Sequence, residues 1–585
     1  MTEKLCLVPT PRKLKLALAA SPRDSAPADA ATKVQVTPGA LRPQGYRLTL
    51  SSQGEVTIAA ADEAGAFYAR QTLAQLRRQL GDDAWVVGEI EDWPDFPVRG
   101  VMLDISRDKV PTMATLFVLV DLFAELKINQ LQLYTEHTFA YAGHPDVWRD
   151  ASPMTPTEIR ELDRYCRARF IELVPNQNSF GHMARWLKHP RYEPLAEKPD
   201  GFTFPWGTKH DGGFSLNPLD PRSLALVESL YDELLPNFSS RIINVGCDET
   251  FDLGLGKSRA ECERRGKERV YLDFLLKIHD AVTRRGRTMQ FWGDIVLHEP
   301  ELIPQLPKDV IALNWGYDAD HPFEKETRAF ADAGVPFYVC PGTSSWLSIT
   351  GRTDNALANL KSAAVNGLAN GAIGYLNTDW GDLGHLQYLP VSFLGFVAGA
   401  ACAWCYETNQ TLDLARCLDL HVFRDVAGVM GRLMHDLGNV YQEVKTPMAM
   451  STRLFWSLVG GEERRKLWEV ITPAEFDDAE SRLNEIVERL DAARMTRADA
   501  VLVADEIRNA AAMLRFACHQ GRRRLGVATM ADDALLAWLD DIIAEHRRLW
   551  LARNRVGGLA DSCRQLEARR AEYAGARPPR SLPQG

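Results

Sequence analysis

What the chain lacks narrows it before any motif is considered. It has no dense basic stretch: 68 Lys and Arg stand against 78 Asp and Glu, a formal charge of −10. Such a surface repels a phosphate backbone, so nucleic acid is not an expected partner. Cysteine is sparse, ten in 585 residues, at no framework spacing, which fits a reducing compartment. The one CxxC, Cys402-Ala403-Trp404-Cys405, has no second pair and sits in an apolar run. Buried structural thiols are expected there rather than zinc or redox chemistry. No His/Cys/Asp spacing suggests a metal, and no cofactor is expected. The start, Met1 to Cys6, has neither the apolar core nor the small-residue cleavage site of a secretory leader, so a cytoplasmic location is expected. Long apolar runs are also scarce. Leu386 to Tyr406 has 21 residues without a charge, enough to span a bilayer. It is interrupted by Pro390 and Ser392 and flanked by Asp382 and Glu407 without Lys or Arg. A buried helix is the better expectation, and no membrane is called for.

The length exceeds one ordinary core, and the patterning divides it in three. Residues 1–97 predict an α+β domain: residues 45–50 and 54–58 alternate as two strands, and Glu63 to Leu80 has helical periodicity. A loop is expected over 21–33, and Trp93-Pro94-Asp95-Phe96-Pro97 makes a rigid boundary. Residues 98–408 then alternate strand and helix. Strands are expected over 98–106, 130–136, 171–179, 242–249, 288–295, 310–317, 336–343 and 372–380, with helical patterns between them and 386–406 as the eighth helix. Eight β-then-α units of this length indicate an α/β fold, a (β/α)8 (TIM) barrel. A doubly wound sheet is the alternative, but no Gly-rich phosphate fingerprint follows the first strand. Residues 409–585 form a helical region with amphipathic, charge-laced faces and a tail from Ala576 expected to be disordered. Their apolar stripes need a partner surface, which admits a homodimer.

One stretch organises the rest. Ile242-Ile243-Asn244-Val245 enters Gly246 and Cys247 and stops on Asp248-Glu249. Asp-Glu also occurs at 62–63, 232–233 and 505–506, in helix-like or polar stretches where solvated faces suffice. Only Asp248-Glu249 ends an apolar run, where carboxylates are costly unless used or paired. A barrel gathers its site at the carboxyl ends of its strands. Those ends carry Asp104 and Arg107, Glu136-His137, Asn176 to Asn178 with His182, Asp248-Glu249, Trp292 with Asp294, Trp315 with Tyr317, Trp346, and Asp379-Trp380-Gly381-Asp382. Four Trp at one rim with carboxylates and an Arg describe a sugar pocket: indole faces pack on pyranose C–H faces, and charged groups take the hydroxyls. The same walls should desolvate Glu249, as a general acid requires. Each Trp taken singly is more simply a barrel-end filler; four together favour the pocket.

Two further stretches carry a family resemblance. Asn244-Val245-Gly246-Cys247-Asp248-Glu249 resembles the His-x-Gly-Gly-Asp-Glu signature of glycoside hydrolase family 20, the β-N-acetylhexosaminidases. Arg99 to Arg107 resembles that family's first barrel strand, and Ala60 to Leu76 its accessory α+β domain. The C-terminal helices are similar to those of a non-secreted, hexosaminidase D-like branch. The resemblance implies exo-acting, substrate-assisted hydrolysis of a glycan with a terminal β-linked N-acetylhexosamine. Glu249 would protonate the departing oxygen. Asp248 would hold the 2-acetamido N–H while the acetamido oxygen attacks the anomeric carbon, and no enzyme nucleophile is needed. It further implies that Arg107 binds sugar hydroxyls, that Trp292, Trp315 and Trp380 line the pocket, and that Asp382 stands for a hydroxyl-binding Glu. The family's acetamido-binding Tyr would fall near Trp346, where no Tyr stands, so Tyr375 or Tyr317 would have to substitute. His182 is expected to orient rather than to carry a proton, with a core histidine as the rival. Two other readings remain open. One is a retaining glycosidase with Asp248 or Glu249 as nucleophile and a partner such as Asp294, acting on sugars that lack an acetamido group. The other is a catalytically silent carbohydrate-binding barrel.

Overall fold

The computed structural model describes residues 5–19, 32–81, 84–527 and 530–573. Most of the loop expected over 21–33 and the whole tail from Ala576 lie outside the described residues.

The first unit is a five-stranded sheet under one helix. Its strands are β1 (Lys13–Leu18), β2 (Lys33–Val36), β3 (Tyr46–Leu50), β4 (Val56–Ala60) and β5 (Val86–Asp92), in the order β1-β5-β3-β4-β2. β3 and β4 alternate buried and outward residues and pair antiparallel, Leu48 opposite Ile58. The alternation gives the sheet one apolar face, and the helix Glu63–Leu80 covers it with Ala66, Ala69, Leu73 and Leu76. Asp62 caps that helix by accepting from the Gly65 N–H at 2.8 Å, satisfying one of its orphan donors. A buried ion pair, Lys127 Nζ to Asp92 at 2.9 Å, joins this sheet to the second unit.

The second unit is a closed barrel. β6 (Val98–Asp104), β7 (Gln130–Tyr134) and β8 (Glu172–Val174) come first. A hairpin of β9 (Phe202–Thr203) and β10 (Lys209–His210) interrupts them. β11 (Ile242–Asn244), β12 (Thr288–Trp292), β13 (Ile311–Trp315), β14 (Phe337–Cys340) and β15 (Gly374–Asp379) complete the eight. All eight barrel strands are parallel, in the order β11-β12-β13-β14-β15-β6-β7-β8. The Asn176–Asn244 bridge closes the ring between β8 and β11. Each strand expected from the sequence is present, trimmed by one to five residues at its carboxyl end, where the backbone leaves the ladder to form the site. The eighth helix, Leu389–Trp404, is buried nearly throughout against the barrel wall. Among the described residues no helix is long and apolar enough to cross a membrane.

The barrel interior has a polar layer below its aromatic one. Gln132 donates to Gln290 at 2.9 Å, and Asn244 and Asn176 donate to Gln132 at 2.9 and 3.3 Å. Asn244 stands where the family signature has His. Its Oδ1 also accepts from the Gly246 N–H at 2.9 Å, so it pins the turn that leads to Asp248.

The C-terminal helices, chiefly Arg453–Val459, Pro473–Glu488, Ala500–Arg524, Asp532–Arg553 and Leu559–Glu567, belong to the same hydrophobic cluster as the barrel's outer wall. Their stripe residues Val503, Ile507, Ala510 and Leu514 are buried within the chain, so the stripes find their partner here and do not call for a second copy. The segment after Trp550 lies along residues 110–112: Thr112 N–H donates to the Arg553 carbonyl at 2.9 Å and Arg555 N–H to the Val110 carbonyl at 2.8 Å. The C-terminal region thereby grips the loop that begins at Arg107.

Candidate active site

Side chains of successive strand residues face opposite ways, so Asp248 and Glu249 could not share a pocket on a continuing strand. β11 ends at Asn244, and Gly246, Cys247 and Glu249 then take left-handed backbone angles, φ of 68°, 70° and 49°. The coil turns both carboxylates to the same place. Gly246 is required twice over, because a Cβ there would collide with the Asn178 amide. Cys247 holds its left-handed angle as a fully buried non-glycine, a conformation that costs about 1–2 kcal/mol.

His182 lies between the two carboxylates. Its Nε2 is 3.2 Å from Asp248 Oδ2 and 3.4 Å from Glu249 Oε2. Burial alone would strip its proton, but the Asp248 charge and the bonds to both carboxylates outweigh it and push it up to about 10. These contacts favour the imidazolium at neutral pH, against the Arg107 guanidinium 3.4 Å from Nδ1. Burial also opposes ionisation of Asp248, but the His182 charge and Arg107 win and hold it below its ordinary value. Asn178 donates to Asp248 Oδ1 at 3.2 Å and, through its own Oδ1, accepts from the Cys247 N–H at 3.2 Å. The donor atoms of His182, Asp248 and Glu249 lie within 4.8 Å of one another, close enough to hold a metal ion. A protonated imidazole has no lone pair to offer, so a metal would first have to displace that proton.

Around this trio sits the wall. Arg107 follows β6 and is sandwiched between the Tyr134 and Trp380 rings, 4.6 and 4.8 Å from their centroids. Asp104, Glu136 and Asp382 face it at 3.2, 3.4 and 3.8 Å. Burial pushes Asp382 up to about 6 against the pull of Arg107. Trp292, Trp346 and Trp380 are buried and Trp315 half-buried, all in one cluster inside the barrel mouth with Tyr134 and Tyr317. Trp292 and Trp380 rings are 5.9 Å apart, and Tyr317 stacks on Trp315 at 5.2 Å and meets Trp346 edge-on at 5.0 Å. Trp380 Nε1 donates to the Tyr317 hydroxyl at 2.7 Å. Trp292 Nε1 finds no hydrogen-bond partner among the described residues.

The structure thus brings together Asp248, Glu249, Arg107, His182, Trp292, Trp315, Trp346, Trp380 and Asp382. It excludes Tyr375. That residue lies on the outer face of β15, packed 5.5 Å from Phe96, and its hydroxyl donates to the Leu360 carbonyl at 3.0 Å. The reason is strand parity: Leu376 and Trp380 face inward, so Tyr375 faces the helices. Asp379 shares that outward parity and is taken up by Thr343, Ser345 and Ser392. Glu249 is less walled than expected, with its side chain 32 % exposed. Tyr134 is the omission, and Asn178 stands in the sequence only as a strand-end residue without a role. Its contact with Asp248 needs the closed barrel, whereas Tyr134 looks like any apolar strand residue.

Comparison with known proteins gives the family. The model of the glycosyl hydrolase family 20 catalytic domain matches residues 96–372, and that of the family's domain 2 matches residues 9–93. The two together take in well over half of the chain. The chain belongs to glycoside hydrolase family 20. A beta-hexosaminidase of Akkermansia muciniphila is 28% identical over 294 residues, 44% of this chain and 58% of that protein. Hexosaminidase D of Bos taurus is 29% identical over 235 residues, 38% of this chain and 64% of that protein. The chain therefore spans less than two thirds of these curated relatives. A Flavobacterium johnsoniae chitobiase superposes with a TM-score of 0.58 at 16% identity, covering 94% of this chain and all of that one. At that identity the likeness is one of fold, and it extends over the C-terminal helices as well as the barrel. Within this family 20 chain those helices reach the site's rim: Arg185 donates to Asp108 at 2.7 Å and to Asp561 of the last long helix at 3.1 Å.

Proposed function

We propose that this protein is an exo-acting β-N-acetylhexosaminidase that removes a terminal GlcNAc or GalNAc by substrate-assisted retaining hydrolysis. The observation that carries the reading is the pairing of an ionised, buried Asp248 with a more open Glu249 on either side of one imidazolium. Glu249, at the mouth, is placed to give its proton to a departing glycosidic oxygen. Asp248, kept anionic, can accept the acetamido N–H and offset the positive charge of the cyclising oxazolinium. Arg107, with Asp382 beside it, offers donors and acceptors to sugar hydroxyls. The indole walls offer C–H stacking, and the Trp292 N–H is a donor without a partner among the described residues. Of the two Tyr that the sequence offered for the acetamido oxygen, Tyr317 is supported over Tyr375 because it lies in the barrel-mouth cluster with Trp346 and Trp380.

The rival reading takes Asp248 or Glu249 as nucleophile and Asp294 as its partner. Asp294 accepts from the Glu249 N–H at 3.1 Å, and burial beside Asp248 pushes it up to about 8. A carboxyl that keeps its proton could serve that reading as the acid, so substrate choice separates the two. Turnover of an aryl β-N-acetylglucosaminide beside an aryl β-glucoside, with inhibition by an N-acetylglucosamine thiazoline, tests the proposal. Hydrolysis of the acetamido sugar alone, blocked by the thiazoline, is expected. Equal turnover of the glucoside promotes the rival, and no turnover of either promotes a silent binding barrel. A cytoplasmic setting belongs to the same proposal, on the cysteine spacing, and cell fractionation with an activity readout checks it.

A further inference from the structure

Away from the sugar pocket, Cys6 and Cys417 bring their sulfurs to 2.6 Å across 411 residues of sequence. Cys6 lies in the N-terminal segment before β1. Cys417 ends the short helix Leu414–Cys417, beyond the barrel's last strand and helix. The approach is held by the backbone around it. Gln79 accepts from the Cys6 N–H at 2.9 Å and donates to its carbonyl at 2.6 Å, and Gln75 does the same for Val8 at 2.9 and 2.7 Å. The Thr10 N–H donates to Asn409 at 2.8 Å, which pins the same segment to the chain ahead of Cys417. Among the described residues no other two cysteines make such a contact.

The surroundings favour one thiolate and one thiol. His421 donates from Nε2 to the Cys6 carbonyl at 2.9 Å, and its Nδ1 lies 3.4 Å from the Glu125 carboxylate and 3.2 Å from the Arg78 guanidinium. The Cys417 S–H, with His421 beside it, outweighs burial and draws the Cys6 thiol down, while Cys417 is pushed up and keeps its proton. A thiolate is the form that attacks an oxidant, and a thiol against it is placed to resolve the product. Cys6 is 7 % exposed and Cys417 fully buried, so a small oxidant meets Cys6 first. A metal is not indicated. Among the described residues, the only three such side chains that converge closely enough for an ion are His182, Asp248 and Glu249.

We propose that Cys6 and Cys417 form a modification site at which hydrogen peroxide closes a reversible disulfide. The Cys6 thiolate attacks one peroxide oxygen. An S–O bond forms, the O–O bond breaks, and the released hydroxide takes up the proton that the thiol had lost and leaves as water. The Cys417 sulfur then attacks Cys6. The S–S bond forms, the S–O bond breaks, and the hydroxyl leaves with the Cys417 proton as a second water. The two sulfurs supply the two electrons that reduce the peroxide. In a reducing compartment small thiols reopen the bond by exchange, so it persists only under oxidation. Its effect is mechanical. It ties the N-terminal segment, held along the helix Glu63–Leu80, to the chain beyond the barrel. Residues 411 apart are joined, the long-loop case in which a cross-link restricts the unfolded chain most. The inference stands apart from the hydrolase reading.

The test treats the native, full-length protein with hydrogen peroxide, alkylates the remaining thiols and maps the peptides by mass spectrometry, with melting followed in parallel. One cross-link, Cys6 to Cys417, is expected, removed by dithiothreitol and accompanied by a rise in melting temperature of roughly 3–6 °C. In Cys417→Ser the reaction should stop at a sulfenic acid on Cys6, trapped by dimedone, with no gain in melting temperature. The wild-type map decides the matter even if that variant does not fold. A map in which both cysteines remain alkylated, or in which Cys6 runs on to the sulfinic acid beside an intact Cys417 thiol, overturns the proposal. A cross-link that leaves the melting temperature where it was overturns the mechanical role.

Discussion

Replacing His182 by Gln should do two separable things. The imidazolium sits 3.2 Å from Asp248. At an effective dielectric of about 20 that contact is worth on the order of 5 kcal/mol. The rise of the His182 pKa to about 10, against about 6.5 in an unfolded chain, corresponds to a similar figure, on the order of 5 kcal/mol. The two describe one interaction seen from two sides and do not add. Gln keeps a hydrogen-bond donor but no charge, so a loss of about 5 kcal/mol of stability at pH 6 is expected, at the top of the range for breaking a buried pair. The sign with pH follows from proton binding. Between about pH 6.5 and 10 folded wild type holds a proton on His182 that the unfolded chain has lost. The contribution is therefore fully present below pH 6.5 and disappears as pH rises through 10. The stability difference between wild type and variant should shrink by about 1.4 kcal/mol per pH unit across that window. Taking the difference matters, because Lys109, pushed down to about 7 by burial, contributes a slope of opposite sign that cancels between the two proteins. Urea unfolding at four pH values measures it. The second effect is catalytic. Without the imidazolium Asp248 loses its main stabilising charge and its pKa rises, so the acid limb of kcat/KM should move to higher pH. A stability gap that does not change from pH 6.5 to 10, together with an acid limb that stays in place, would refute a charged His182.

Four further outcomes are expected. Glu249→Gln should lose on the order of 100- to 10,000-fold on a poorly activated glycoside and much less on one with an activated leaving group; equal losses across a leaving-group series would contradict its role as the acid. Tyr375→Phe should leave kcat/KM within about two-fold of wild type and cost about 1 kcal/mol in chemical denaturation, because only the bond to the Leu360 carbonyl is removed; a ten-fold loss of activity would put Tyr375 back in the pocket. Cys247→Gly should change stability by less than about 1 kcal/mol, since relief of the left-handed angle offsets the lost burial. Cys247→Val should cost more than about 2 kcal/mol by the same measurement, because a β-branched side chain tolerates that angle poorly.

The sequence alone determined the eight strands, their order along the chain and the rim on which the site would form. Period-2 runs ending in turn residues and period-3.6 helical stretches are local signals, and the barrel's rule for placing its site then selects the strand ends. That was enough to name Asp248, Glu249, Arg107, His182 and the four Trp. It was not enough for Tyr375, whose position is one residue out of phase: parity along β15 is visible only once the closed ring fixes which face is inside. Nor could it foresee that Asp248 and Glu249 converge, because this depends on left-handed angles at Cys247 and Glu249, a conformation that neither side chain advertises. The charge of His182 was equally out of reach. A histidine 66 residues from Asp248 in sequence becomes an imidazolium only when β8 and β11 close the barrel and bring two carboxylates within 3.4 Å of one nitrogen. The C-terminal helices predicted themselves by periodicity. That their buried faces turn to the barrel, with Asp561 holding Arg185 at its rim, was decided by tertiary packing, because amphipathicity specifies that a face will be covered and not by what.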